Sequence, residues 1–265
     1  GFNDQLVLFV NRHKLADWLK LTETAIHFPI RWVALLRNSA SKRWEEMRFS
    51  PILVGFYRAL LLGDRSLLAP EIKIGFQQLG LAHILAISGM HFGLCYLLFN
   101  GISLLLPFNL RRGFRVILSI SYAVVTGLGV SVIRALIFIL LCELGIALKR
   151  PINRWQLLLS TLLICLMIQP YWIYNVGFQL SFTAVLGIFV GLYFLDFFEL
   201  PQLLKKPIQL VTISLSAQLA VSPILAFYFE ELSLLALPLS IIASPILPIV
   251  MIIGGVGIFL PIGSI

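Results

Sequence analysis

The chain has 265 residues, of which 59% are hydrophobic and 12% charged, and its 20 Lys and Arg against 12 Asp and Glu give a formal net charge of +8. The charged share is about half the roughly 25% of an ordinary soluble domain, and the mean hydropathy is +0.97. A water-soluble enzyme, a coiled coil, a collagen-like chain and a disordered chain are excluded, which leaves an integral membrane protein.

The first 50 residues stand apart. They carry Arg12, Lys14, Lys20, Arg31, Arg37, Lys42, Arg43 and Arg48, interleaved with Trp18, Trp32 and Trp44. No uncharged stretch there is long enough to span. Segments 15–21 and 29–36 read as amphipathic helices in the membrane interface, or as the edge of a soluble domain. We therefore expect an amphipathic interfacial segment over 1–50 and a membrane domain over 51–265. Either a short crossing near residues 51–62 or helices lying on the outer leaflet would accommodate the basic start, and both remain open.

Beyond it, charge-free runs organise the chain: 74–110, 116–133, 155–195, 207–229 and 232–265 contain no Asp, Glu, Lys or Arg. A helical crossing takes about 20 apolar residues. The run 155–195 thus predicts two crossings with a turn from Gln169-Pro170 to Gly177. The stretch 113–148 predicts a hairpin broken at Thr126-Gly127-Leu128-Gly129. About seven crossings are expected between residues 81 and 260, with half-helices where Gly and Pro interrupt. The fold class is all-α: a polytopic transmembrane helical bundle with broken or re-entrant helices.

Orientation follows from the basic loops. Arg111, Arg112 and Arg115 share one loop, Lys149, Arg150 and Arg154 another, and Lys205 and Lys206 a third, each two crossings from the next. These loops are expected in the cytoplasm, with 126–130, 170–177 and Glu230-Glu231 outside. Cys95, Cys142 and Cys165 lie in apolar runs without metal-type spacing, as buried small hydrophobes do. No signal peptide is visible. The start at Gly1 and the end at Ile265 suggest a piece of a longer polypeptide.

Polar side chains inside a membrane are costly, so each is a functional candidate. His83, Ser88 and His91 interrupt the aliphatic segment 80–93 with three glycines. Ser88 and His91, three apart, would share a helix face and line a polar path, or bond a neighbouring helix. In Thr126 to Ala135 the glycines permit an open turn and Ser131 reads as an N-cap. Helix-start amides and Arg134 one turn in make an anion site, unless Arg134 pairs with a carbonyl or acid elsewhere. Glu143 lies too far along the helix to be that partner. Gln179 and Ser181 stand where a loop enters a helix and face a pore or cap the helix, with capping favoured. Gln218 completes the set.

Leu62-Gly63-Asp64-Arg65-Ser66, Gly80 to Gly93, Gly129 to Ala135 and Val176 to Gly187 together resemble the ComEC-type competence (DNA-internalisation) protein family of bacteria. Gln218-Leu219-Ala220, Pro223 and Phe227-Tyr228-Phe229 fit more loosely. The resemblance covers about residues 50–260 in order and identifies 51–265 as a competence-type transmembrane channel domain. It implies transport of single-stranded DNA across the bacterial cytoplasmic (inner) membrane during natural transformation. It also implies a multi-pass protein with no cofactor, metal or catalytic residue in this domain. Implied partners are single-stranded DNA, the lipid bilayer, flanking OB-like and metallo-β-lactamase-like domains, and other competence proteins. No His-x-His-x-Asp-His run occurs, so nuclease chemistry is expected outside this piece. Ser240 stands where the family pattern has asparagine.

Two rivals are weaker. An intramembrane hydrolase could use Ser88 with His91 as base, but three residues apart on one helix, without an oxyanion group, is a poor catalytic arrangement. A small-solute transporter of inverted repeats lacks any visible repeat.

Overall fold

The computed structural model describes residues 33–79, 81, 88–199, 201–229 and 236–259, and all regular structure among them is helical. Helix α1 covers 33–46, followed by α2 (Pro51–Leu62), α3 (Pro70–Gln78), α4 (Gly89–Ser103), α5 (Phe108–Val125), α6 (Val130–Ala147), α7 (Arg154–Ile168), α8 (Val176–Leu195), α9 (Gln202–Phe229) and α10 (Ala236–Phe259). A 3-10 turn, Pro170–Tyr174, joins α7 to α8. Segment 15–21 and His83 lie outside the described residues.

Local chemistry sets the boundaries. Ser50 caps α2 by accepting the Leu53 N–H, with Pro51 in the first turn, and Gly63 ends it in the left-handed region at φ 72°. Asn153 and Asn175 cap α7 and α8, accepting from Trp155 and Phe178 N–H at 2.9 and 3.1 Å. The expected break between α5 and α6 falls at 126–129, where Gly127 (φ 94°) and Leu128 (φ 52°) reverse the chain. The break in 155–195 falls at Gln169–Asn175, also as expected.

Seven helices, α4 to α10, fill the region where about seven crossings were expected. By length and composition, three of the described helical segments can cross a membrane unaided: Val130–Ala147, Val176–Leu195 and Leu204–Tyr228. For α4, α5 and α7 the reason is length and charge. The 15 residues of α4 or α7 rise only about 22 Å at 1.5 Å each, short of a hydrocarbon core of about 30 Å. Helix α5 spends its first half on Arg111, Arg112 and Arg115.

Two buried clusters hold the body together. In one, Phe92, Ala123, Val132, Ala135 and Ile139 join α4, α5 and α6. In the other, Trp44, Tyr57, Leu60, Leu247 and Met251 join α1 and α2 to α10. Trp44 is fully buried and donates its indole N–H to the Gly254 carbonyl at 2.9 Å. Helices α8 and α9 pack closely on each other. A Cβ at Gly187 would strike Ala220 and the Ser216 backbone, and one at Gly191 would strike the Ser216 side chain. Four-residue spacing puts Gly187 and Gly191 on one face and Thr212, Ser216 and Ala220 on the other, the small-residue geometry that lets helices meet inside lipid.

Candidate functional site: three helix starts around Arg134

The starts of α4, α6 and α8 meet, and Arg134 lies between them. Its side chain leaves the second turn of α6 and is 6% exposed. Nε donates to the Ser181 hydroxyl of α8 at 2.5 Å. The guanidinium carbon sits 5.7 Å from the centre of the Phe182 ring, a cation–π distance. Its Nη2 occupies the space that a Cβ would take at Gly89, the first residue of α4. Among the described residues, no carboxylate lies within ion-pairing distance of Arg134 and its two Nη groups have no hydrogen-bond acceptor. A guanidinium carries five donors and keeps its charge, so one bonded to a single serine still has donors that an anion could use. The start of α6 reinforces this, because no side chain caps it and its amide ends carry roughly half a positive charge.

Ser131 is not the cap. Gly129 holds that position, with Ile133 N–H on its carbonyl at 2.9 Å. The left-handed pair Gly127-Leu128 completes the reversal two residues earlier than the serine suggested. Ser131 lies half-buried in the first turn.

Ser88 and His91 do meet, but with Ser88 just outside the helix that carries His91. Ser88 is the N-cap of α4, in extended conformation. The Ser88 N–H lies 3.1 Å and its hydroxyl 2.7 Å from His91 Nδ1. The imidazole thus takes the place that Glu or Gln has in a capping box. Because Nδ1 accepts the backbone N–H, the neutral ring carries its proton on Nε2. His91 is 1% exposed. The pair fixes where α4 begins, and so where Gly89 stands.

Gln179 and Ser181 divide their roles. Gln179 donates to the Ile173 carbonyl at 2.8 Å and ties the 3-10 turn to α8, while Ser181 holds Arg134. Gln218 is half-buried on α9. It sits about 200° around the helix from Ser216, at 100° per residue, and therefore points away from α8. The Ser240 side chain lies outside the described set.

Two further groups stood out in the sequence as rare charges, but without their partners. Glu143, 2% exposed, receives Arg115 through two hydrogen bonds of 2.6 and 3.0 Å and the Tyr96 hydroxyl at 2.5 Å, with Arg112 at 3.8 Å. This knot ties α4, α5 and α6 near the far end of α6 from Arg134. Its sequence signal was a lone acid inside an apolar segment; nothing in the sequence named Arg115 or Tyr96 as partners. Asp64 forms the other. It accepts Arg58 Nε at 2.9 Å and the Ser66 N–H at 3.0 Å. Arg37 approaches it at 3.9 Å while donating to the Val125 carbonyl at 2.7 Å. Burial alone would raise the Asp64 carboxyl, but the bonds from Ser66 and Arg58 outweigh it and hold it below the ordinary range. The Asp64 motif thereby anchors α1 and α2 to the turn from which α6 departs.

Comparison with known proteins matches residues 60–263 to the family described as Competence protein. ComE operon protein 3 of Bacillus subtilis (strain 168) is 29% identical over 203 residues, covering 74% of this chain. The chain spans 25% of that relative's length. No solved structure matches. The matched region takes in Asp64 and all three helix starts around Arg134, and on that match this chain belongs to the competence protein family.

Proposed function

We propose that this chain is the membrane domain through which a single DNA strand crosses the bacterial cytoplasmic membrane in natural transformation. Its family supports DNA uptake, and three apolar helices of spanning length support a place in the bilayer. The basic loops 108–115, 149–154 and 205–206 face the cytoplasm in this reading, by the positive-inside tendency. The starts of α4, α6 and α8 then face outward, where an incoming strand arrives. The domain moves the strand rather than cutting it. Flanking OB-like and metallo-β-lactamase-like domains and other competence proteins act with it.

One observation carries the reading: a buried arginine, bonded to a serine and unopposed by any described carboxylate, at the meeting point of three helix starts. Arg134 holds a backbone phosphate at the entrance, and the ring of Phe182 keeps its cation in place. Ser88, His91, Ser131 and Ser181 belong to this entrance, Gln179 supports it, and His83 and Gln218 are further path candidates.

Exchange of Arg134 tests it. Lysine keeps the charge but loses the planar fork, so Arg134→Lys should retain partial uptake and Arg134→Gln almost none, at unchanged membrane levels. Phosphate contacts carry no base information, so the loss should be equal for DNA of any sequence. Normal import by a stably inserted Arg134→Gln protein would sink the proposal.

A further inference from the structure

Gly89 is set apart from the other helix-start residues by what lies against it. A Cβ built there would collide with Arg134 Nη2 and come within 3.4 Å of Arg134 Cζ and 3.9 Å of the Ala135 Cβ. The other glycines of α4 and that of α5 are different: Gly93, Gly101 and Gly113 would meet nothing within 4 Å. Nor is Gly89 needed for its backbone, since it is not among the residues with positive φ. Conformational freedom therefore does not explain it, and the guanidinium does.

The placement is tight from every side. Ser88 and His91 lock the first turn of α4, so Gly89 cannot retreat without breaking that cap. Ser181 fixes Nε, and Phe182 covers a face of the guanidinium. Arg134 itself is rooted in the packed cluster of Val132 and Ala135. Added volume at position 89 has one soft neighbour to displace, the far end of the arginine.

We propose that Gly89 is a positioning residue whose missing side chain is the seat of the Arg134 guanidinium, so that any larger residue there drives the cation off Ser181 and Phe182. This rests on the reading that Arg134 holds a strand phosphate. Gly89 touches no ligand itself and acts by the space it leaves.

The test is a steric rescue. Gly89→Ala should lower DNA uptake at least tenfold. Lysine has no Nη2 to collide with, so adding Arg134→Lys to Gly89→Ala should restore uptake to that of Arg134→Lys alone. If Gly89→Ala also lowers the amount of protein in the membrane, the second substitution should recover that too. A double variant no better than Gly89→Ala in either measure overturns the seat, as does a Gly89→Ala protein that imports normally while Arg134→Gln does not. A second readout needs no transport. In purified protein carrying Phe182→Trp, the emission of that indole, taken as the difference from the parent, should shift with Gly89→Ala in the same direction as with Arg134→Gln. If uptake survives Arg134→Gln, the phosphate reading falls and the fluorescence alone decides the seat: a shift upholds it and no shift ends it.

Discussion

Glu143 is the most completely enclosed acid among the described residues, and its three partners come from two helices other than its own. Exchange for Gln keeps the shape but removes the charge that balances Arg115, itself 13% exposed. Breaking a buried pair by removing one partner costs about 3–5 kcal/mol, because the other charge is left unopposed. Glu143→Gln should therefore lower the thermal stability of purified protein strongly, whereas Arg112→Gln, at a partner 46% exposed, should change it little. Equal stability of Glu143→Gln and the parent would show that the knot contributes nothing. Asp64 gives a pH-dependent counterpart. Its carboxyl is held below the ordinary value, so its contribution is complete above about pH 4, the range of a free aspartate, and is lost as pH falls through the lowered value. Asp64→Asn should flatten the acid limb of a stability–pH curve and leave its shape near neutrality unchanged. Single residues of this kind were visible in the sequence as rare charges. Their partners were not, because Arg115 and Glu143 are 28 positions apart and nothing in a linear pattern records which helix faces meet.

Helices were more legible than the residues within them. The breaks at 126–129 and 169–175 followed from charge-free run length and glycine or proline punctuation, which act locally. The cap of α6 was read as Ser131 and is Gly129, because a serine in the first turn looks the same in a sequence as one at the cap; the start of α4 at Ser88 was not read as a cap. Packing of α8 on α9 was missed outright, although Gly187-Ile188-Phe189-Val190-Gly191 carries its signature. That contact makes a sharp prediction. Gly187→Leu must push α9 away through the Ser216 backbone, which cannot rotate aside, so the variant should be lost from the membrane or melt at much lower temperature. Ser222→Ala removes only a hydroxyl bonded to the Leu219 carbonyl within α9 and should be silent. A Gly187→Leu protein as stable as the parent would contradict the close approach.

At the scale of the whole molecule, the fold class was open to reading from composition, since so apolar a chain must satisfy its backbone within its own segments and helices do so. How many helices cross was harder, because run length counts residues and not the tilt or depth of a short helix such as α4 or α7. Orientation is directly testable. A cysteine placed at Ile173, in the turn between α7 and α8, should react with an impermeant thiol reagent from outside, and one at Asn109 only after the membrane is opened. The reverse pattern would invert the proposed entrance and exit.

The indole of Trp44 reaches a carbonyl 210 residues further along the chain. During synthesis at roughly 5–20 residues per second, α1 and α2 emerge some ten to forty seconds before α10 exists to receive them. For that interval the fully buried Trp44 and Leu60 lack the part of their cluster that α10 supplies. Lipid, the insertion machinery or a chaperone must shelter them, which makes the arrival of α10 the step that closes this cluster.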